Sequence, residues 1–368
     1  MFTNPFPNAF GLDIGDLSIK LVQLSNVSNY FKGSHYEYAS ARSISLPPGL
    51  VVNGELTQPE EIRHYIQKLL GHRSKTEKPI KSPWVVASLP EPQGFTKLIT
   101  IPKSPQELIE DDIIIEAKKN IPFTEDDHYY IDWQVLTPSS EKDVMVRALI
   151  TAIPKFTADS YTYLLESLGL GVIALELEAL STTRSMVTSK KEYTGQARAL
   201  LDIGSTRSNL VIYDDNTIQF TTSLPYSGEL LTTALSQKLH VSYEEATRIK
   251  KEYGLEYKKD KQAWTALIHE TKLFADDIRK NILFYYSHFK NTNRITHITM
   301  CGSGSNLKHL ERFLSLELKI ECRPGHVWKN LSAKKQIPIS DEESLGYATA
   351  IGLALRAADN PFFKHDTI

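Results

Sequence analysis

The spacing of apolar and polar residues predicts three elements in the first part of the chain. Residues 11–24 (GLDIGDLSIKLVQL) start with an apolar run, turn at Asp-Ile-Gly and continue with alternating apolar positions, which predicts a hairpin of two strands. Residues 59–70 place their apolar side chains on one helical face, and residues 83–90 form a compact apolar strand bounded by prolines. The basic stretch 72–83 between them is typical of an exposed loop.

From residue 92 to 170 the pattern changes to shorter segments. Strands are predicted at 95–102, 127–136 and 143–154, and helices at 105–121 and 157–170. The order strand, helix, strand, strand, helix indicates a small α+β unit inserted into a larger domain.

A second hairpin at residues 199–220 repeats the first one. Its Asp202-Ile203-Gly204 aligns with Asp13-Ile14-Gly15, an offset of 189 residues, and the apolar return strands also align. Two such openings half a chain apart predict a duplicated fold with one phosphate-facing hairpin in each half. A chance likeness between short apolar hairpins is the alternative.

The remainder of the chain is predicted to be rich in helices. We expect a helix at 244–254, one or two at 264–289, a strand, a glycine-containing turn and a helix within 295–314, and a small-residue helix at 342–358. The last of these must pack closely on a neighbour, because many of its side chains are small.

The paired hairpins suggest phosphate chemistry. The glycine after each aspartate lets the backbone turn closely, and successive N–H groups in such a turn can bind phosphate oxygens. Lys20 follows on the return strand, and Asp13 with Asp202 could hold Mg²⁺ through water, since this ion keeps much of its hydration shell. Alternatively, each aspartate hydrogen-bonds its own turn. A third motif, Gly302-Ser303-Gly304, lies between a predicted strand and a helix N-terminus, where an anionic or flat ligand can approach.

Composition narrows the class of protein. The 368 residues suggest about two domains, and 42 basic against 44 acidic residues give a net charge of −2. Near-neutral charge argues against a dedicated nucleic-acid binder. Two cysteines exclude a disulfide framework, and we expect a cytosolic protein because neither a signal peptide nor a membrane-spanning apolar run is evident. The 11 histidines show no zinc-like spacing, and no G-x-S-x-G or Walker A motif occurs.

In this order and spacing, the three motifs resemble the phosphate-1, phosphate-2 and adenosine loops of the actin-like ATPase superfamily. The resemblance is closest to the PilM family of type IV pilus assembly, a relative of the FtsA family, and extends over residues 11–24, 151–180, 227–251 and 347–356. It implies an α/β, duplicated actin-like (RNase H-like) two-domain fold with a nucleotide cleft. The halves would be 8–198 and 199–341, with an inserted α+β subdomain at about 92–170 and helix 342–358 returning to the first half.

The resemblance also implies ATP and Mg²⁺ as ligands and a role for individual residues. The implied nucleotide-binding residues are Asp13, Gly15, Lys20, Asp202, Gly204, Asn209, Lys250, Gly302, Ser303 and Gly304, with Asp13 and Asp202 holding Mg²⁺ through water. Glu178 matches a glutamate that orients the attacking water in polymerising relatives; a helix N-terminal carboxylate or hinge residue is the alternative. Ser227, Thr247 and Ser303 stand where relatives usually have a glycine, an acidic residue and a glycine. These differences affect nucleotide affinity, so we expect ATP binding with weak or absent hydrolysis.

The implied function is that of a cytoplasmic scaffold peripheral to the inner membrane. It would bind the N-terminal cytoplasmic peptide of a PilN-like membrane protein in the groove between core and inserted subdomain, contact other pilus assembly proteins, and bind no nucleic acid. Self-association is compatible with this role. The alternatives are an FtsA-like filament-forming protein, disfavoured by the ending AADNPFFKHDTI, and an enzyme such as a sugar kinase, for which the inserted block offers only exposed-looking carboxylates such as Asp111 and Asp112.

Overall fold

The structure is a computed structural model that describes residues 4–27, 35–71, 78–124, 128–136, 145–188, 193, 195–331 and 337–359. Half of the predicted basic loop, residues 72–77, and the C-terminal residues 360–368 lie outside the described residues. Among the described residues no helix is both long and apolar enough to cross a membrane.

Strands of the described residues form two large sheets and one small hairpin. The strands are β1 (Phe10–Ile14), β2 (Ser18–Asn26), β3 (Tyr36–Ser45), β4 (Val51–Val52), β5 (Glu55–Leu56), β6 (Trp84–Leu89), β7 (Phe95–Ile101), β8 (Tyr129–Val135), β9 (Val146–Pro154), β10 (Gly171–Leu177), β11 (Ala197–Ile203), β12 (Ser208–Asp214), β13 (Thr217–Leu224), β14 (Ile295–Cys301) and β15 (Glu321–Pro324).

Helices cover these sheets. They are α1 (Pro59–Leu70), α2 (Glu110–Asn120), α3 (Lys155–Glu166), α4 (Glu178–Met186), α5 (Gly228–Leu239), α6 (Tyr243–Tyr253), α7 (Lys261–His288), α8 (Leu310–Leu318), α9 (Asp341–Ser344) and α10 (Ala348–Ala358), with 3₁₀ turns at Glu91–Gln93, Ser303–Asn306 and Leu345–Tyr347.

The two large sheets share one topology, which confirms the predicted duplication. The first has the order β10-β6-β1-β2-β3, and five strands of the second have the matching order β15-β14-β11-β12-β13. In each half the first strand is antiparallel to the second and parallel to a later one. Even the register repeats: Asp13 faces Lys20 across the first hairpin, and Asp202 faces Asn209 across the second. The fold is therefore the duplicated actin-like α/β fold that the resemblance implied.

The inserted block extends the sheet of the second half. Strands β7, β9 and β8 follow β13 in that order, and Phe220 pairs with Lys97 at the junction. Helix α2 covers these strands with Ile113 and Ala117. Helix α3, by contrast, contributes four side chains to the core of the first half: Ala158, Tyr161, Leu164 and Leu165. The sequence-based domain limits stay a prediction, but the packing groups α3 with the first core.

Two predicted helices differ in extent from those in the structure. Helix α2 begins at Glu110 rather than at residue 105, because the Asp112 carboxylate accepts a hydrogen bond from the Ile109 backbone N–H at 3.1 Å and caps the helix there. The predicted helix 342–358 is divided into α9, a 3₁₀ turn and α10. The segment 264–289 is one helix, α7, of 28 residues.

Helix α10 returns to the first half and packs there with almost no clearance. A Cβ atom at Gly352 would lie 1.7 Å from the Ser181 carbonyl oxygen of α4, and one at Gly11 would lie 2.4 Å from the Ala354 backbone nitrogen. The small side chains of α10 therefore permit the close approach that brings α4 and β1 to the same edge of one cleft.

Candidate functional site

One cleft between the two halves contains most of the residues that the sequence singled out. It is bounded by the turns of hairpins β1–β2 and β11–β12, by the start of the Ser303–Asn306 turn and by the first residues of α10. The predicted residues that line it are Asp13, Gly15, Lys20, Glu178, Asp202, Gly204, Asn209, Gly302 and Ser303. Each parallel core strand ends at this edge, so the duplicated topology alone brings the two hairpin turns face to face.

Asp13 is buried at the end of β1 and tied to the neighbouring strand. The Ser88 hydroxyl of β6 donates to its Oδ1 atom at 3.1 Å, and the same hydroxyl oxygen accepts the Ile14 backbone N–H. Burial raises the pKa of Asp13, while the positive charge of Lys20 acts against this shift. The carboxylate is thus held in a fixed orientation toward the cleft.

Asp202 occupies the equivalent place in the second half. Burial, followed by the negative charge of Asp13, raises its pKa to about 6. Gly302 has a φ of +79°, and a Cβ atom there would lie 2.2 Å from the Asp202 Oδ1 atom. Only glycine allows the third loop to approach this carboxylate so closely.

Glu178 begins α4 at the floor of the cleft. Its Oε2 atom accepts a hydrogen bond from the Asn209 Nδ2 amide at 2.7 Å, and its Oε1 atom lies 4.0 Å from the Arg207 guanidinium. Burial raises the pKa of Glu178 to about 8, against the effect of Arg207 and with that of Asp13. A role for Glu178 in orienting water stays a prediction.

Two predicted residues lie beside the cleft rather than on its lining. The Lys250 ammonium donates to the Gly228 carbonyl oxygen at 2.6 Å and to the Thr232 hydroxyl at 2.7 Å, so it joins α6 to the start of α5. Burial lowers the pKa of Lys250 to about 8. Gly304 packs against Ile203, where a Cβ atom would lie 2.4 Å from the Ile203 Cγ2 atom. Their nucleotide contacts stay predictions.

Sequence reasoning missed two charged residues in the turns themselves. Asp16 of the first turn accepts hydrogen bonds from the Thr206 hydroxyl at 2.9 Å and from the Arg207 guanidinium at 3.1 Å, both in the second turn. A comparison of the two turns would have indicated them, because AspLeuSer and SerThrArg differ in charge although the flanking strands align.

Glu91 is a third residue that the sequence did not indicate. Its buried carboxylate accepts the Ala179 backbone N–H at 3.0 Å and also the Thr221 hydroxyl of β13. Burial raises the pKa of Glu91. The residue connects the first half, the start of α4 and the second sheet, which positions Glu178.

The donor set of the cleft fits a metal-bound polyphosphate. Within the described ranges no group of three or more His, Cys, Asp or Glu side chains is arranged to hold a metal ion. Mg²⁺ is nevertheless held by one or two carboxylates together with water and phosphate oxygens, and Asp13 and Asp202 suit that mode. Lys20 supplies a cation, and Gly15, Gly204 and Gly302 place backbone without side chains in the lining of the cleft.

Comparisons with known proteins agree with this geometry. A family model described as type IV pilus assembly protein PilM matches residues 11–358. Among solved structures, a PilM-PilN type IV pilus biogenesis complex matches with a TM-score of 0.79 and 22% identity, covering 96% of this chain and 100% of that chain. The ethanolamine utilization protein EutJ from Carboxydothermus hydrogenoformans matches with a TM-score of 0.56 and 14% identity over 95% of this chain and 90% of that one.

A third structure, MreB5 of Spiroplasma citri bound to ADP, has a TM-score of 0.51 and 11% identity, covering 92% of this chain and 94% of that chain. At these identities the solved structures establish the likeness of fold. None of the comparisons favours the FtsA-like alternative over the PilM family.

Proposed function

Because the chain belongs to the PilM family of type IV pilus assembly proteins, we propose that it is a nucleotide-binding scaffold that holds a PilN-like membrane protein. In this proposal the cleft binds ATP with Mg²⁺, and a separate surface binds the N-terminal cytoplasmic peptide of the partner. Attachment to the partner would place the protein at the cytoplasmic face of the inner membrane.

The observation that carries the nucleotide-binding part is the equivalence of the two hairpin turns across one cleft. Asp13 is buried and Asp202 is half-buried there, and desolvation together with the negative charge of Asp13 raises the pKa of Asp202. Asp13 and Asp202 would hold Mg²⁺, which would supply positive charge for phosphate binding. Lys20 would attract the phosphates, and the glycine at each turn would let the backbone approach them. The fold's similarity to MreB5 bound to ADP is consistent with this use of the cleft.

The surroundings of Glu178 support slow hydrolysis. One oxygen of its carboxylate is engaged by the Asn209 amide, and the other lies 4.0 Å from the Arg207 guanidinium. A carboxylate held by such donors is less available to accept the proton of an attacking water. We therefore infer that bound ATP acts chiefly as a ligand that joins the two halves.

A surface formed by β8 and α3 suits an extended peptide. Among the described strands β8 pairs only with β9, so its other edge offers unpaired backbone groups to an added strand. Beside it, Phe156 and Tyr163 lie seven residues apart on the same face of α3, with 73% and 69% of their surfaces exposed. We name β8 together with the exposed face of α3 the β8–α3 surface.

Contacts between the two elements hold this surface together. The Tyr130 hydroxyl of β8 donates to the Asp159 carboxylate of α3 at 3.1 Å, and the Lys155 ammonium lies 5.1 Å from the centre of the Tyr130 ring. The edge strand and the aromatic side chains are therefore neighbours. An extended segment with apolar side chains could pair with β8 and cover the two exposed aromatic rings of α3.

Calorimetric titration with ATP tests the nucleotide-binding part. Asp13→Asn and Asp202→Asn should each weaken binding of Mg²⁺-ATP by roughly tenfold or more, and EDTA should weaken binding to the unaltered protein similarly. Asp215→Asn removes a carboxylate that is about half exposed outside the cleft and serves as the control. Equal affinity for all four proteins would contradict the proposal.

The peptide-binding part is tested with the N-terminal peptide of the PilN-like protein from the same organism. Phe156→Ser and Tyr163→Ser should each reduce its affinity by roughly tenfold. Leu316→Ser, at a position of α8 with 69% exposure, is a matched control that should bind normally. Peptide binding that survives both α3 substitutions would place the partner elsewhere, and loss of both ligands would direct attention to filament pelleting.

A further inference from the structure

The ion pair between Asp16 and Arg207 crosses the cleft and joins the two hairpin turns directly. Asp16 lies between β1 and β2, and Arg207 lies between β11 and β12. Their side chains are 5% and 12% exposed, and the two guanidinium nitrogens lie 3.1 and 3.4 Å from the two carboxylate oxygens. The pair therefore closes the space in which the proposed phosphates would lie.

The charged side chains that line the cleft oppose the entry of a nucleotide phosphate. Four carboxylates line the cleft within the described residues, those of Asp13, Asp16, Glu178 and Asp202, against two cations, Lys20 and Arg207. One of those two cations is already committed to Asp16. An entering phosphate must therefore compete with a carboxylate for the guanidinium, whose planar donors suit phosphate as well as carboxylate.

Asp16 can release Arg207 and still keep three other hydrogen bonds. Its oxygens also accept the backbone N–H groups of Asn53 at 3.2 Å and Gly54 at 3.0 Å, and the Thr206 hydroxyl at 2.9 Å. A buried carboxylate that keeps three donors remains solvated by the protein. Arg207, whose other acidic neighbour Glu178 is 4.0 Å away, would gain a phosphate in exchange.

We propose that Arg207 is a phosphate-binding residue which Asp16 occupies in the nucleotide-free protein, so that the two residues act in opposite directions on nucleotide affinity. This proposal rests on nucleotide binding in the cleft. Asp16 then has two effects: it holds the halves together when the cleft is empty, and it raises the concentration of Mg²⁺-ATP needed to fill it. The nucleotide replaces an internal bridge between the halves with one of its own.

The test compares Mg²⁺-ATP dissociation constants of single and double variants by calorimetry. Asp16→Asn should tighten binding by about tenfold, because the amide repels phosphate less and binds Arg207 more weakly. Arg207→Gln should weaken binding by about tenfold, with Arg207→Lys between the two. Asp16→Ser provides a second variant at the first position if Asp16→Asn does not fold.

Matched controls come from an ion pair outside the cleft. Arg147 and Asp215 lie 2.7 Å apart, and Arg147→Gln and Asp215→Asn should leave the dissociation constant unchanged. If the pair had only a structural role, loss of Asp16 and loss of Arg207 would change the affinity for Mg²⁺-ATP in the same direction. That result would overturn the proposal. Unchanged affinity in Arg207→Gln would do so as well.

Failure of the proposed function has its own signature. If neither the unaltered protein nor any variant binds Mg²⁺-ATP, nucleotide binding is refuted and the role of Arg207 falls with it. If the unaltered protein binds and the two substitutions do not act in opposite directions, only the role assigned to this ion pair is refuted. Opposite changes in the dissociation constant of the Asp16 and Arg207 variants, with both control variants unchanged, support nucleotide binding in the cleft and the proposed role of this ion pair.

Discussion

At the scale of single residues, burial raises the pKa values of the carboxyl groups in and beside the cleft. Asp13, Glu91, Glu178 and Asp202 all have raised pKa values, and burial is the largest cause at each. Burial of several carboxyl groups in one region reduces the stability of the fold, and such clusters are typical of functional sites. Each of them would ionise more readily beside a bound cation.

Glu178 makes stability depend on pH. Its pKa is about 8 in the folded protein, above the ordinary value of 4.5, with Arg207 opposing the shift and Asp13, Glu91 and Asp202 adding to it. The folded state therefore loses stability as pH rises from 4.5 through 8. Glu178→Gln should reduce that loss between pH 5 and 9 by about 2 kcal/mol in nucleotide-free urea unfolding. Identical pH profiles for both proteins would refute this account.

At the scale of elements, one buried carboxylate ties three of them beside the cleft. Glu176 of β10 is paired with Arg184 of α4 at 2.5 Å and also with Arg356 of α10. Burial would raise its pKa, but the two arginines lower it below the ordinary value. These ion pairs and the close glycine contacts together hold α10 against α4.

Removal of the Glu176 charge should loosen this junction. Glu176→Gln leaves two guanidinium groups without their carboxylate, and we expect a loss of about 3 kcal/mol in unfolding free energy near pH 7. Because the folded pKa is lowered, the stabilisation is present above pH 4.5 and disappears as pH falls through the folded value. The variant should therefore lose less stability on acidification. Glu60→Gln, in an exposed i,i+3 pair with Arg63, is the control and should behave like the unaltered protein.

At the scale of the whole molecule, the cleft depends on two equivalent halves of different charge. The register of the hairpins repeats, yet Lys20 in the first corresponds to Asn209 in the second. The first half thus supplies a cation, while the second supplies an amide that orients Glu178. A ligand that contacts both turns adds a link between halves that already share one hydrophobic cluster, which includes Val22 of the first half and Leu200 and Val211 of the second.

Hydrogen exchange can detect this link. Mg²⁺-ATP should slow exchange of backbone amides in both turns, residues 15–18 and 204–207, by roughly tenfold or more, because one ligand is bound by both. ATP with EDTA serves as the control and should have a much smaller effect. Protection confined to one turn would mean that the ligand contacts a single half.

Local pattern was sufficient for much of the fold. The first hairpin, α1, α6 and the strand β6 lie close to their predicted bounds, because each has a clear apolar period and clear end signals. The predicted second hairpin, 199–220, also includes the start of a third strand, β13. Pattern was less reliable for α2, whose start depends on the hydrogen bond from Ile109 to Asp112, and for the C-terminal segment, which is interrupted by the 3₁₀ turn Leu345–Tyr347. Such ends depend on individual side-chain contacts that periodicity does not contain.

By itself the sequence determined the duplication, the two aspartate-glycine turns and the residues that line most of the cleft, since these follow from repeated local patterns. Only the tertiary structure decided that Asp16 meets Arg207, that Lys250 is occupied by Gly228 and Thr232, and that Glu91 supports α4. These partners are separated by 18 to 191 residues along the chain. The contact between Asp16 and Arg207 depends on how the two halves pack, and the other contacts depend on packing between elements within one half. Ionisation follows from the burial that this packing creates.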